Sequence, residues 1–266
     1  MNIKTIIAIL VGGMLVTGHA DAEPAKFDKE KDLISLHYDH APDKDDGHSA
    51  AADLTILATL YDKEWIKKHV VAVSGAYGIN KKTFNDKSDK VMDATWNDYG
   101  GWLDAHEKYN EVVNELMNRW LDVLKNGGDI WVKEGGQSDI TAELLMIISR
   151  MKMADLNVDQ RVHVVQHSDW NENKTNPHDL AYTKRMSDYI RIKDANAYLN
   201  VKGGDEAFEK AAIAHPVFGA AWKAAFEYYP NKQRLDFSDT GELMHILGLG
   251  EIGIDDFRKR FLEGGE

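Results

Sequence analysis

Apolar positions along this chain fall into two alternating kinds of run. Short continuous runs occur at 33–36 (LISL), 69–74 (HVVAVS), 129–133 (DIWVK) and 161–166 (RVHVVQ). Their length and Val/Ile content suit buried strands, and the first extends to Tyr38. A fifth, shorter strand is expected at 189–192. Between them the apolar residues take helical spacing. Residues 47–61 carry a face of Ala51, Leu54, Leu57, Ala58 and Tyr61, and residues 107–125 form a long amphipathic helix stopped by Asn126-Gly127-Gly128. Helices are also expected at about 138–153 and from Pro177 to Met186. Beyond the fifth strand the pattern is helical at 205–214, 220–229, 240–247 and 254–262. Residues 80–99 are polar, with Trp96 and Trp102 near the end of that stretch.

Strands alternating with helices predict crossover connections and a mostly parallel sheet flanked by helices, a Rossmann-like α/β fold. There is no internal repeat and no low-complexity linker, so residues 23–266 read as one domain. Residues 1–22 are set apart. Lys4 precedes a short apolar core from Thr5 to Gly18, followed by the small-x-small site Ala20-Asp21-Ala22. This is the pattern of a cleaved secretory signal, and the run is short of the roughly 20 residues a membrane span needs. With no cysteine in the chain, the expected setting is a bacterial periplasm or the medium. Seven Trp, ten Tyr and eight Phe can fill a core without disulfides. The net charge of −12, with no basic block to offset it, argues against nucleic acid and leaves a divalent cation as a compatible partner. No membrane partner is expected, and a homo-oligomer is left open.

Polar signatures follow the strands directly. Asp39, Asp43, Asp45 and Asp46 come after the first, Glu134 to Asp139 (EGGQSD) after the third, and His167 to Asn173 (HSDWNEN) after the fourth. Asp236 and Asp239 stand just before a late helix. In a parallel sheet the loops after the strands share one edge, so these groups should converge there. Taken singly, each loop is better read as solvated or as a helix cap; taken together, they are not.

Four carboxylates within eight residues repel one another, and a cation or a chemical role must offset that cost. A calcium hand does not fit, because with Gly47 at the turn the first and third ligand places hold Pro42 and Lys44. His37, His40 and His48 with Asp39 suggest zinc, but a strand and a helix start need not bring them together. Capping explains Asp45 or Asp46 alone, not all four. Hard oxygen donors suit calcium best, then magnesium.

Pro42 followed by Asp45-Asp46, after a strand and before a helix, resembles the nucleoside hydrolase signature Asp-x-Asp-Pro-Gly-x-Asp-Asp, with Asp39 at its first Asp. VKEGGQSDIT resembles that family's Thr-Gly-Gly-Leu-Thr-Asn-Ile-Ala. Asn80, after GAYGI, falls where the family has a Gly-Asn, and Asp239 before residues 240–247 resembles its late His-Asp-Pro helix start. The resemblance spans most of residues 23–266, in order. It implies cleavage of an N-glycosidic bond with a calcium ion holding the sugar hydroxyls and an attacking water. Carried over by position, Asp46 and Asp239 ligate calcium with the backbone carbonyl of Glu134, Asp45 binds a sugar hydroxyl, and Asn80 contacts the sugar.

The chain also departs from that pattern. Ala41 stands where the family has its general base, Asp43 replaces a Gly, Ser238 the late His, and Asp139 an Asn. The catalytic candidates are therefore Asp43, reaching the base position from a shifted loop, and Asp45. His167, Trp170 and Asn171 join Asp39 and Asn80 as expected substrate contacts, since a Trp platform amid hydrogen-bonding groups suits a sugar, though packing against a neighbour explains Trp170 equally well. The expected function is an exported, calcium-assisted glycosidase acting on an N- or O-glycosidic bond of a small ribosyl or other sugar substrate. The alternatives are a catalytically silent sugar- or nucleoside-binding protein of the same fold, and a metal-dependent hydrolase of another kind.

Overall fold

The structure, a computed structural model, describes residues 25–40, 44–77, 88–151 and 154–264. The expected signal segment, Ala41 to Asp43, and Asn80 lie outside the described residues. The chain opens with β1 (Leu33–Tyr38), α1 (Asp46–Leu60), α2 (Lys63–His69), β2 (Val70–Ser74), α3 (Ser88–Trp96) and β3 (Leu103–Asp104). It continues through α4 (Tyr109–Lys125), β4 (Ile130–Gly135), α5 (Asp139–Arg150), α6 (Val158–Arg161) and β5 (Val162–Gln166). Next come α7 (Asp169–Lys174), α8 (Pro177–Met186), β6 (Asp188–Arg191), α9 (Asn196–Leu199) and β7 (Asn200–Lys202). The last elements are α10 (Glu206–Ala214), α11 (Gly219–Tyr228), β8 (Arg234–Asp236), α12 (Thr240–Ile246) and α13 (Ile254–Phe257).

Six strands form one parallel sheet in the order β3-β2-β1-β4-β5-β6, which is the expected α/β fold with a Rossmann-like open sheet. Both faces are covered, so the strands can be nearly apolar throughout. Ile34, Leu36 and Tyr38 of β1, with Trp131 and Val165, face α1, α3, α11 and α12. Their alternates Leu33, Val132 and Val164 face α4 and α5. In α4 the buried residues Val112, Leu116, Trp120 and Leu124 recur every four positions, which lays one apolar stripe against the sheet. Each fully buried aliphatic or aromatic side chain of this kind stabilises by about 1.5–3 kcal/mol. Strand order reverses between β1 and β4, whose following helices leave toward opposite faces, and a crevice opens at their carboxyl ends.

Several elements differ from expectation. The 69–74 strand begins one residue later because His69 closes α2, a helix capped by Asp62 accepting from the Trp65 N–H at 2.8 Å. The polar stretch 80–99 contains α3. The loop after β5 contains α7, capped by the Ser168 hydroxyl, which accepts from the N–H groups of Trp170 and Asn171. β7 and β8 pair antiparallel as a separate ribbon within the region expected to be helical. No helix among the described residues is long and apolar enough to cross a membrane.

The Gly135-Gly136 turn at the end of β4 is required by crowding. A Cβ on Gly135 would stand 2.5 Å from Lys133 Nζ, 2.9 Å from the His37 carbonyl oxygen and 3.1 Å from the Asp239 Cβ; one on Gly136 would stand 3.0 Å from the Asp39 Cβ. Two carboxylate-bearing residues thus reach the strand end through space that only glycine leaves. Gly135→Ala is expected to cost about 1–3 kcal/mol, the usual range for overpacking, seen as a lower urea midpoint. Gly253→Ala, whose Cβ would find only the Tyr198 carbonyl at 3.9 Å, meets no such crowding and should lose only the N-cap preference at the start of α13, about 0.5–1 kcal/mol.

Candidate functional site

Four connections meet at the carboxyl edge around a cavity of about 230 Å³. The β1–α1 loop brings Asp45 and Asp46, the β4–α5 turn Gly135, and the β5–α7 connection His167, Ser168, Trp170 and Asn171. From the other side come Asn196 of α9, Tyr229, and Arg234, Asp236, Ser238 and Asp239 around β8. The convergence expected of the strand-following loops is present. Of the residues singled out in the sequence, Asp45, Asp46, His167, Trp170, Asn171 and Asp239 line the cavity. Asp39 and Glu134 lie in the layer below it, while Asp43 and Asn80 are outside the described residues.

Asp45 and Asp239 occupy the N-cap positions of α1 and α12, yet neither side chain makes a capping hydrogen bond. Capping therefore does not account for them. Asp46 is buried; its Oδ2 accepts from the His40 N–H at 2.7 Å, while its Oδ1 is buried without a hydrogen-bond partner. Burial, then the negative charges of Asp39 and Asp239, push the Asp46 pKa well above the carboxylate range. Gln137 donates to Asp39 Oδ2 at 2.6 Å from the turn after β4. The carboxylate at the opposite edge of the sheet is handled differently. Asp32 accepts from the N–H groups of Asp28 and Asp129 and from the Trp131 indole, all within 3.0 Å. That acid is fully engaged in holding β1 to β4; the acids at the carboxyl edge are not.

The cation needed to balance this charge comes in part from the protein itself. Lys133 of β4 is fully buried, with its Nζ 3.4 Å from Asp53 Oδ2 and 4.2 Å from the centre of the Tyr38 ring. Burial opposes its charge, but Asp53, Asp239, Glu242 and Asp46 outweigh that and raise its pKa. His167 Nε2 donates to Asp239 Oδ1 at 2.9 Å, and Nδ1 lies 3.3 Å from Asp194 Oδ1. Burial would lower the His167 pKa, yet these two carboxylates raise it to about 10. Asp239 is also penalised by burial, but the His167 hydrogen bond and the Lys133 charge bring it below its usual value. Glu242, whose Oε1 accepts from the His167 N–H at 2.9 Å, is pushed to about 8, chiefly by burial. Ligand atoms of His167, Asp239 and Glu242 all lie within 4.8 Å of one another.

Glu134 points away from the cavity. Its Oε1 accepts from Thr141 at 3.1 Å and sits 3.4 Å from His37 Nδ1, while its backbone carbonyl accepts from Gln166 Nε2 at 2.7 Å. The carbonyl expected to face a metal is thus already engaged by Gln166. The three histidines considered for zinc go to separate places: His37 to Ser35 and Glu134, His48 to the Tyr229 carbonyl at 2.8 Å, and His40 beside Tyr38 and Tyr228. Asn171 and Ser238 line the cavity and make no side-chain hydrogen bond to another described residue. Trp170 is 38% exposed at the rim, with Lys174 Nζ 5.3 Å from its ring centre.

Lys133, Asn196, Tyr229 and Arg234 were not picked out by sequence reasoning. Lys133 carried a usable signal, because a lysine inside the run IWVKEG must be paired if the strand is buried. Asn196, Tyr229 and Arg234 enter with α9 and the β7–β8 ribbon, which no local pattern announced.

Two outcomes follow from this electrostatic arrangement. Lys133→Met, which leaves Asp53 and Asp239 buried without their cation, should lose about 3–5 kcal/mol in urea unfolding, and Lys133→Met with Asp53→Asn should recover part of that loss. Asp139, at the start of α5, is pushed to about 7 by burial and by the neighbouring Asp179. Its folded pKa is raised above 3.8, so its contribution is fully present below that pH and is lost as pH rises through about 7. Asp139→Asn should therefore raise Tm relative to wild type at pH 8 and not at pH 4. No family model, curated protein or solved structure matches this chain, so the reading of the cleft rests on its own residues.

Proposed function

We propose that the cleft binds the sugar of a small glycoside, a nucleoside first among them, and hydrolyses its glycosidic bond with a calcium ion held by Asp46 and Asp239. The observation that carries this reading is the buried Asp46, crowded against the carboxylates of Asp39 and Asp239 where the β1–α1 loop meets the start of α12. Burial and the neighbouring charges keep such carboxyl groups from all ionising together, and a hard cation removes that penalty. The donors are all oxygen, which suits calcium or magnesium. Asp46 and Asp239 supply oxygen donors that such an ion takes, and the closest-set ligating atoms among the described residues, on His167, Asp239 and Glu242, adjoin them.

When bound, such an ion gathers sugar hydroxyls and lowers the pKa of a water molecule. The chain supplies the rest. Asn171 and Ser238 present polar groups to the sugar hydroxyls, and Trp170 offers an apolar face for the ring. Asp45, on the cavity wall, takes the proton as water oxygen bonds to the anomeric carbon. The C–N or C–O bond breaks, and the proton is passed to the departing group. The likeness of the Asp-rich loop to the nucleoside hydrolase signature supports the same reading. A second reading, a sugar-binding protein without turnover, is favoured by Ala41 at the signature's general-base place and by His167 already occupying Asp239 Oδ1.

Calcium added to chelator-treated protein should raise Tm, by the equivalent of about 2.7 kcal/mol at a hundred times its Kd, and Asp46→Asn should abolish the rise. A panel of nucleosides and aryl glycosides, assayed for free base and reducing sugar, should show turnover that Asp46→Asn removes. Calcium and sugar binding without any product would place the binding reading first. A protein that binds neither calcium nor sugar would sink both.

A further inference from the structure

Arg234 stands on the β8 wall of the cleft, 42% exposed along its side chain. Its nearest carboxylate oxygen, Asp236 Oδ2, is 3.6 Å from Nη1, beyond hydrogen-bond reach for a guanidinium, and that oxygen already accepts from Asn200 Nδ2 at 2.5 Å. Arg119, Arg161, Arg191 and Arg258 each hydrogen-bond a carboxylate at 2.5–2.8 Å, while Arg150, Arg185 and Arg260, which like Arg234 do not, lie away from the cavity. The Arg234 side chain makes no hydrogen bond to any described residue, its nearest partner being the Asp236 carboxylate. Its planar fork of donors therefore faces a cavity whose floor is acidic, and what such a fork accepts best is a two-oxygen anion.

We infer that the substrate carries an anionic substituent, a phosphate or a carboxylate, and that Arg234 holds it at the β8 wall while the sugar ring lies toward the Asp46–Asp239 floor. This rests on the sugar-site reading above and narrows it to anionic sugars. The polarity of the cleft sets the orientation. With the floor balanced by Lys133, His167 and a bound cation, the Arg234 fork is the cation left on the β8 wall for a two-oxygen anion. A cavity of about 230 Å³ suits a monosaccharide with one such substituent. A neutral sugar would leave the Arg234 donors unused.

Isothermal titration in calcium-containing buffer with ribose, ribose 5-phosphate, glucose and glucuronate tests this directly. In the wild type each anionic sugar should bind at least about tenfold more tightly than its neutral counterpart. Arg234→Gln should remove that preference, bringing each anionic sugar to the affinity of its neutral counterpart in the same variant, and Arg234→Lys should keep part of it. A preference for the phosphate alone, or for the carboxylate alone, identifies which anion the fork is built for. Equal affinity for neutral and anionic sugars in the wild type overturns the inference and leaves the sugar site standing, as does a preference that survives Arg234→Gln. Failure of all four to bind removes the sugar site itself.

Discussion

Everything at the carboxyl edge of this sheet depends on one buried ammonium. Lys133 sits where β1 and β4 run side by side, beneath Asp239 and beside Asp53, in a layer with no water to spread its charge. Burying a lone lysine or a lone aspartate there would cost several kcal/mol, and neither would stay ionised. Together they hold. Lys133 can reach that position only because the next turn has no side chains: Gly135 and Gly136 leave the volume into which Asp39, Asp239 and the ammonium all fit. The glycines, the lysine and the carboxylates thus form one interdependent unit.

The two edges of the sheet treat their carboxylates differently. At the amino edge, Asp32 spends its oxygens on backbone and indole donors and ties β1 to β4. At the carboxyl edge, Asp45 and Asp239 stand at helix starts without capping them, and Asp46 keeps an oxygen with no partner. A fold under selection for stability alone would have capped these helices with the same residues. They line a polar cavity at the point where strand order reverses, the place where open α/β sheets generally take their ligands. His167 adds a second internal cation, clamped between the exposed Asp194 and the buried Asp239, so the floor of the cleft is partly neutralised before any ligand arrives.

The charge problem was visible in the sequence, but its solution was only half visible. Four acids after the first strand demanded a counter-charge, and a bound metal was the natural expectation. The fold supplies Lys133 and His167, drawn from two other strands, and leaves Asp46 with an unmatched oxygen. Glu134 sends its side chain and its carbonyl to different partners. Its place in the chain matched an expected ligand, yet its side chain lies on the far face with His37 and Thr141, and its carbonyl serves Gln166.

Local sequence determined the elements whose cause is local. Continuous Val/Ile runs made β1, β2, β4 and β5, a four-residue apolar repeat made α4, and Pro177 opened α8. The strand–helix alternation also implied the parallel sheet, and with it the edge where the loops after the strands would gather. What the tertiary structure alone decided depends on residues far apart in the chain. The β7–β8 ribbon pairs Asn200 with Asp236 across two helices, and so carries Arg234 to the cleft without any nearby pattern to announce it. The ionisation of Asp46, His167 and Lys133 is likewise set by partners up to 193 positions away, Asp46 and Asp239 among them. Periodicity reports which face a residue takes; only the folded chain brings the charges on separate elements close enough to govern one another.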